Sequence, residues 1–215
     1  MPDGATLAYN ASDGYIYATR GGWTNTFYRY DIGGNSWTTM AGVAASASGF
    51  SSLGVGTGGR IVSDGTNIYA TVGDGETAFL KYNTGTNTWS ALSRTPFVQY
   101  YGTDITYANG KIYALAGYYR DEAWEYDIAI DTWRKISPLK EISYYRGPYN
   151  GASIEYAGGN SFYATLGQGL AEMLSFTPGA GNYVSQGTYI SETQDLSNVE
   201  SWISFVKNDS VPANT

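Results

Sequence analysis

Tyrosine and arginine crowd together at two places in this 215-residue chain. One is Tyr118-Tyr119-Arg120, followed by Asp121 and Glu122. The other is Ser143-Tyr144-Tyr145-Arg146-Gly147-Pro148-Tyr149, just after Glu141. A tyrosine nucleophile with arginines and a carboxylic acid can break a glycosidic bond, and so can two converging carboxylates drawn from Asp121, Glu122 and Glu141. The same residue types also serve plain binding. Tyr, Trp and Arg are enriched at binding hot spots, and phenol rings stack on sugars while their hydroxyls donate and accept hydrogen bonds. Gly21-Gly22-Trp23 and the end of Phe97–Tyr101 belong to the same class. The candidate binding residues are therefore Trp23, Tyr100, Tyr101, Tyr118, Tyr119, Arg120, Tyr144, Tyr145, Arg146 and Tyr149. Any one of these tyrosines could instead fold down as an apolar lid over its own loop.

What the chain lacks narrows its chemistry. It has no Cys and no His, which excludes disulfides, thiol nucleophiles, Cys/His zinc sites, His-ligated haem and a Ser-His-Asp triad. No P-loop or EF-hand string is present. Asp64-Gly65 and Asp74-Gly75-Glu76 read as solvated turns rather than calcium ligands. The expectation is a protein with no cofactor, no metal and no catalytic residue.

The net charge of −7 and isoelectric point near 4.5 oppose a phosphate backbone, so nucleic acid is not an expected partner. No run approaches the ~18 apolar residues of a membrane span. Charged residues make up 14% of the chain, against about 25% in an average globular protein. That composition, rich in hydroxyls and aromatics, favours an extracellular or virion setting and leaves the cytoplasm open. Met1-Pro2-Asp3-Gly4 lacks the basic and apolar regions of a signal peptide. An extracellular location would then need a leader that was removed or lies upstream, or none, as in a virion released by lysis.

A repeat positions these residues. Four segments align without gaps: YATRGGWTNTFYRYDIGGNSW from Tyr17, YATVGDGETAFLKYNTGTNTW from Tyr69, YALAGYYRDEAWEYDIAIDTW from Tyr113 and YATLGQGLAEMLSFTPGAGNY from Tyr163. In each, an aromatic is followed 13 residues later by a second and 7 later by a third. They are Tyr17, Tyr30, Trp37; Tyr69, Tyr82, Trp89; Tyr113, Tyr126, Trp133; and Tyr163, Phe176, Tyr183. Repeat starts lie 52, 44 and 50 residues apart, near the ~40–50-residue period of propeller blades. Each repeat supplies four strand-like runs. The first is Thr6–Tyr9, Arg60–Ser63, Asp104–Tyr107 or Ser153–Tyr156, and Asp64-Gly65 or Asn109-Gly110 turns the chain into the second. A four-stranded sheet needs cover on both faces, which neighbouring sheets provide. The repeated aromatics are thus expected between blades, as core rather than as ligand platforms.

The pattern Gly-Gly, Tyr-Asp, then Trp seven residues after the Tyr resembles the kelch-type propellers of the galactose-oxidase-like superfamily. It is cleanest at Gly21, Gly22, Tyr30, Asp31 and Trp37 and thins to Gly73, Gly117 and Gly167 in later repeats. The resemblance spans about Ala5 to Ser185 and implies an all-β propeller. Copper radical oxidation, known in such propellers, requires His ligands and a Tyr–Cys crosslink that are absent here. The Asp-box of sialidases is absent too.

The expected layout is four kelch-like, four-stranded blades within 1–187 (about 5–41, 59–93, 103–137 and 152–186). A strand segment, or the start of a following β-sandwich, then occupies 188–215. The count leaves two arrangements open, a four-bladed ring or part of a larger ring completed by further sequence or a neighbouring subunit. The second is preferred. Loops between strands two and three and between blades should share one face, where the Tyr/Arg clusters fall. Near the axis, Arg60, Asp104, Ser153 and Glu155 read as a structural ion pair and its surroundings. The expected function is a non-catalytic binding or structural module of an extracellular or virion assembly. Its contacts would be protein subunits or cell-surface glycans. The alternatives are a lectin-like propeller, a glycoside-processing enzyme and an intracellular kelch adaptor.

Overall fold

The computed structural model describes residues 3–43, 54–138, 147–167, 172–178 and 187–190. Among them every regular element is a strand. The first sheet holds β1 (Thr6–Asn10), β2 (Tyr15–Thr19), β3 (Phe27–Asp31) and β4 (Ser36–Thr39). The second holds β5 (Arg60–Ser63), β6 (Asn67–Thr71), β7 (Phe79–Asn83) and β8 (Thr88–Ala91). The third holds β9 (Asp104–Ala108), β10 (Lys111–Leu115), β11 (Glu122–Asp127) and β12 (Thr132–Pro138), and the fourth β13 (Ser153–Tyr156), β14 (Phe162–Thr165), β15 (Glu172–Phe176) and β16 (Gly187–Ile190). Each sheet is an antiparallel meander in chain order, and the four are arranged as blades of a propeller. The first strands lie innermost, β1 beside β5, β5 beside β9 and β9 beside β13.

The repeated tyrosines bury a ring and direct a hydroxyl to the blade's own turn, as a buried phenol must. Tyr17 donates to Asp13 Oδ2 at 2.7 Å and Tyr69 to Asp64 Oδ2 at 3.0 Å. At the other end of the blade, Tyr30 donates to Asn35 at 2.6 Å, Tyr82 to Asn87 at 2.8 Å and Tyr126 to Asp131 at 2.6 Å. Asn35, Asn87 and Asp131 have φ of 45°, 54° and 51°, the left-handed conformation that Asn and Asp tolerate best after glycine.

The aromatic spacing also builds the junctions between blades. Phe27 meets Tyr82 edge-on at 4.9 Å and Trp89 at 5.0 Å. Phe79 repeats this with Tyr126 at 4.9 Å and Trp133 at 5.1 Å. Each tryptophan then bonds to the preceding blade, Trp89 Nε1 to the Ala41 carbonyl at 2.9 Å and Trp133 Nε1 to the Ser93 carbonyl at 3.0 Å. The N–H groups of Ala41 and Ser93 donate to Asn87 and Asp131, at 2.9 and 2.8 Å. At the third junction Ala123 stands where Phe27 and Phe79 stood, and Tyr113 packs on Phe162 at 4.2 Å.

Two of the repeated aromatics depart from the expected core role. Trp37 and Tyr163 are exposed. They lie on the faces of the first and fourth blades that no other described blade covers. In the first three blades the seven-residue spacing becomes a cross-strand pair, Tyr30 with Trp37, Tyr82 with Trp89 and Tyr126 with Trp133. In the fourth, Ser175 pairs with Gly187, so the outer strand begins beyond the last repeated aromatic. The Phe176 side chain, Tyr183 and residues 191–215 lie outside the described residues.

Near the axis, Arg60 Nε donates to Asp104 Oδ1 at 3.1 Å, and the Ile154 N–H donates to Asp104 Oδ2 at 2.9 Å. One carboxylate thereby ties β5, β9 and β13 together. Burial raises the Asp104 carboxyl, opposed by the Ile154 N–H and Arg60. Burial and then the charge of Asp104 raise Glu155.

The buried phenols make alkaline stability predictable. Burial, then Asp13, Asp64, Glu125 and Asp131 respectively, raise Tyr17, Tyr69, Tyr113 and Tyr126 far above 10. Above pH ~10 the unfolded chain releases these protons while the folded chain keeps them, so unfolding gains driving force. The contribution from these tyrosines should be level up to pH ~9.5 and then fall, by about 1.4 kcal/mol per pH unit for each phenol held protonated. Urea denaturation across pH 8–12 checks this. Tyr69→Phe should flatten the alkaline slope by about one proton.

Candidate functional site

The loops after the second strand of the first three blades begin with the same backbone device. Three consecutive residues are left-handed: Gly21, Gly22, Trp23; Gly73, Asp74, Gly75; and Gly117, Tyr118, Tyr119. The second residue donates to the segment entering its own inner strand, Gly22 to Asp3 O, Asp74 to Thr57 O and Tyr118 to Tyr101 O, each at 2.7 Å. The third donates across the junction to the next blade, Trp23 to Val55 O at 3.1 Å, Gly75 to Gln99 O at 2.8 Å and Tyr119 to Pro148 O at 3.1 Å. The β2–β3-type loops and the inter-blade segments therefore share one face, as the strand alternation predicts.

Glycine is the natural occupant of such positions, yet Trp23, Tyr118 and Tyr119 hold φ of 58°, 52° and 62°. Bulky side chains there are uncommon and strained. The sister blades show that glycine fits, since Gly22 and Gly75 take the second and third positions. The aromatic replacements are carried outward: Trp23 and Tyr118 are exposed and Tyr119 is half-buried.

The fold gathers five of the predicted tyrosines into one cluster across the third and fourth blades. Tyr119 stacks on Tyr149 at 4.3 Å and 10°. Tyr101 lies 5.1 Å from Tyr149, and Tyr100 meets Tyr101 at 4.6 Å and Tyr118 at 5.4 Å, both edge-on. Desolvation, followed by neighbouring tyrosines, raises Tyr100 and Tyr149, so these two phenols stay neutral at physiological pH. Trp23 stands apart, over Gly56 at the first junction, where an added Cβ would meet its Nε1 at 2.9 Å. Arg120 is exposed, with Nη1 3.9 Å from Glu122. Tyr144, Tyr145 and Arg146 lie outside the described residues, as does Glu141.

Sequence reasoning missed Gln99. Its buried side chain accepts from the N–H groups of Val72 and Gly73, at 2.8 and 2.9 Å, and donates to the Ala78 carbonyl at 2.8 Å. It thereby fixes the start of the second blade's loop from the adjacent segment. A lone Gln in an irregular stretch carries no pattern that would reveal this.

On the same face a cavity of about 240 Å³ opens at the axis. Backbone from all four blades, including Gly4, Gly58, Gly102 and Gly151, lines it with Asp3, Arg60 and Tyr101. Its ionic side chains are already engaged, Asp3 by Thr57 at 2.9 Å and Arg60 by Asp104. Among the carboxylates beside the tyrosines, burial pushes Glu122 up, but Lys135 at 2.9 Å and Trp124 outweigh it and hold the group below its ordinary range. It is thus kept ionised, unlike a general acid. Among the described residues no group of His, Cys, Asp and Glu could hold a metal ion, and no helix is long and apolar enough to cross a membrane.

No protein-family description matches the chain, and no curated protein matches it. Among solved structures it is similar to one titled "Structure of YjhT", with a TM-score of 0.67 and 16% identity over 91% of this chain and 67% of that one. At that identity the likeness is one of fold.

Three substitutions separate strain from presentation. A Cβ on Gly73 would lie 2.4 Å from Thr57 O and 2.5 Å from Gly59 N, whereas one on Gly75 meets nothing within 4 Å. Gly75→Ala should cost about 1 kcal/mol of left-handed strain, and Gly73→Ala at least ~2 kcal/mol more because backbone must move. Conversely, Tyr118→Gly should leave stability within about 1 kcal/mol of wild type, since relief of strain offsets lost ring contacts. Chemical denaturation of the three variants reads all of these.

Proposed function

We propose that the protein is a non-catalytic binding and assembly module of an extracellular or virion structure, contacting a protein subunit through its aromatic loop face. The observation that carries this reading is the placement of Trp23, Tyr118 and Tyr119 at left-handed backbone positions that sister blades give to glycine or aspartate. Such strain persists where side chains are kept for recognition. Tyr and Trp offer large, rigid, amphipathic contact area at low entropic cost. The kelch-like spacing, in which the repeated aromatics go to the scaffold, leaves these irregular loops as the variable surface. The absence of His and Cys and the ionised Glu122 support a non-catalytic role.

A protein surface fits better than a sugar because the tyrosines spend their faces on one another. Tyr119 and Tyr149 are stacked, and Tyr100 is edge-on to two neighbours. The ring faces on which a sugar would stack are thereby partly occupied, while Tyr118 and, at the first junction, Trp23 remain exposed.

Immobilised protein should retain a specific protein from the secreted or particle fraction of its source. Trp23→Ala and Tyr118→Ala should each reduce retention about tenfold or more. Binding on a glycan array that is lost with the same substitutions would instead make the face a lectin site. Turnover of a fluorogenic glycoside, abolished by Asp121→Asn, would overturn the non-catalytic reading.

A further inference from the structure

Among the described residues the first and fourth blades each leave one face exposed, and these faces match the two halves of the junctions between the first three blades. In the first two junctions the following blade carries a socket and the preceding one a plug. The socket is an aromatic pair, Tyr82–Trp89 at 5.1 Å and 47°, or Tyr126–Trp133 at 5.0 Å and 44°. The plug is Phe27 or Phe79, beside buried Tyr17 or Tyr69.

The first blade has the socket already formed. Tyr30 and Trp37 sit at 4.9 Å and 44°, and Asn35 holds the Tyr30 hydroxyl as Asn87 and Asp131 hold theirs. In the internal junctions this Asn or Asp oxygen also accepts an N–H from the preceding blade, and the tryptophan reaches that blade's carbonyl. Among the described residues Asn35 and Trp37 make neither bond. Trp37 is 56% exposed, and Leu7 is 64% exposed where Ile61, Ile105 and Ile154 are buried in the same strand position.

The fourth blade carries the plug. Tyr163 and Met173 occupy the positions of Tyr17 and Phe27, and they are 41% and 37% exposed. The exposure of both faces shows that they do not cover each other within one chain. They are complementary rather than alike, since one presents a preformed aromatic slot and the other a flexible thioether beside a phenol. Met–aromatic contact is favourable and adaptable.

We propose that the chain associates head to tail with a second copy of itself, the Tyr163/Met173 face of one copy docking on the Tyr30/Trp37 face of the next. Such an interface is heterologous, so copies close into a ring if the rotation permits and otherwise extend as a filament. The surface is distinct from the aromatic loop face, and its test does not depend on that face.

Light scattering on the size-fractionated 215-residue chain over a concentration series should show self-association. Trp37→Glu alone and the double change Tyr163→Glu, Met173→Glu alone should each be monomeric. All three positions are exposed, and circular dichroism verifies that the variants fold. An equimolar mixture of the two variants restores one intact interface and should give a 1:1 dimer and nothing larger. Trp37→Ala should weaken association about 30-fold or more, and Tyr118→Gly should leave it unchanged. A wild-type monomer at all concentrations, assembly by either single-face variant, or a mixture that stays monomeric would overturn the proposal.

Discussion

One interaction organises the first three blades: a phenylalanine on the third strand of a blade seated against the Tyr–Trp pair of the next. A four-stranded sheet on its own leaves both faces wet, so no blade here is stable by itself. The seating of Phe27 on Tyr82 and Trp89, and of Phe79 on Tyr126 and Trp133, removes that surface from water. It also delivers each indole N–H to a carbonyl of the preceding blade. The hydrogen bonds matter as much for angle as for energy. A tryptophan and an Asn or Asp read the carbonyl and N–H of one residue, Ala41 or Ser93, which fixes the rotation between sheets in a way that apolar packing alone would not.

A second constraint acts at the face where the loops gather. Three left-handed residues in succession hydrogen-bond first to their own blade and then to the next, so loop and junction are one mechanical unit. This explains how the protein can hold Trp23, Tyr118 and Tyr119 at strained φ. The backbone there is over-determined by bonds on both sides, and a side chain that resists the conformation is carried along by it. The scaffold and the display surface share atoms without sharing side chains, and the loops can vary while the glycine at the head of each one cannot.

The polar groups of the interior follow the same economy. Each buried phenol reaches a turn or a carboxylate of its own blade, and Asp104 joins three inner strands through one side chain. No described side-chain nitrogen or oxygen is left buried without a partner. In a chain with few charges, these bonds supply the register that ionic pairing might otherwise provide.

The sequence by itself determined the blade architecture. The 13- and 7-residue aromatic spacing corresponds to a strand, a turn and the next strand, so a local pattern encodes a local meander. The inner strands Arg60–Ser63 and Ser153–Tyr156 are found with their expected bounds. The shared loop face, with Tyr100, Tyr101, Tyr118, Tyr119 and Tyr149 on it, followed from strand alternation, whereas their mutual ring contacts did not. Local patterns could not say which copies of a repeated residue have a neighbour. Trp37 and Trp89 occupy one motif position, yet among the described residues Trp89 is covered by the preceding blade and Trp37 is exposed. Nor could they show the outer strand of the fourth blade starting at Gly187, the left-handed backbone under Trp23 and Tyr118, or the grip of Gln99 on another loop. Those features depend on contacts between segments far apart in the chain, and only the tertiary structure decides them, because burial and backbone strain belong to the assembled blades rather than to any one repeat.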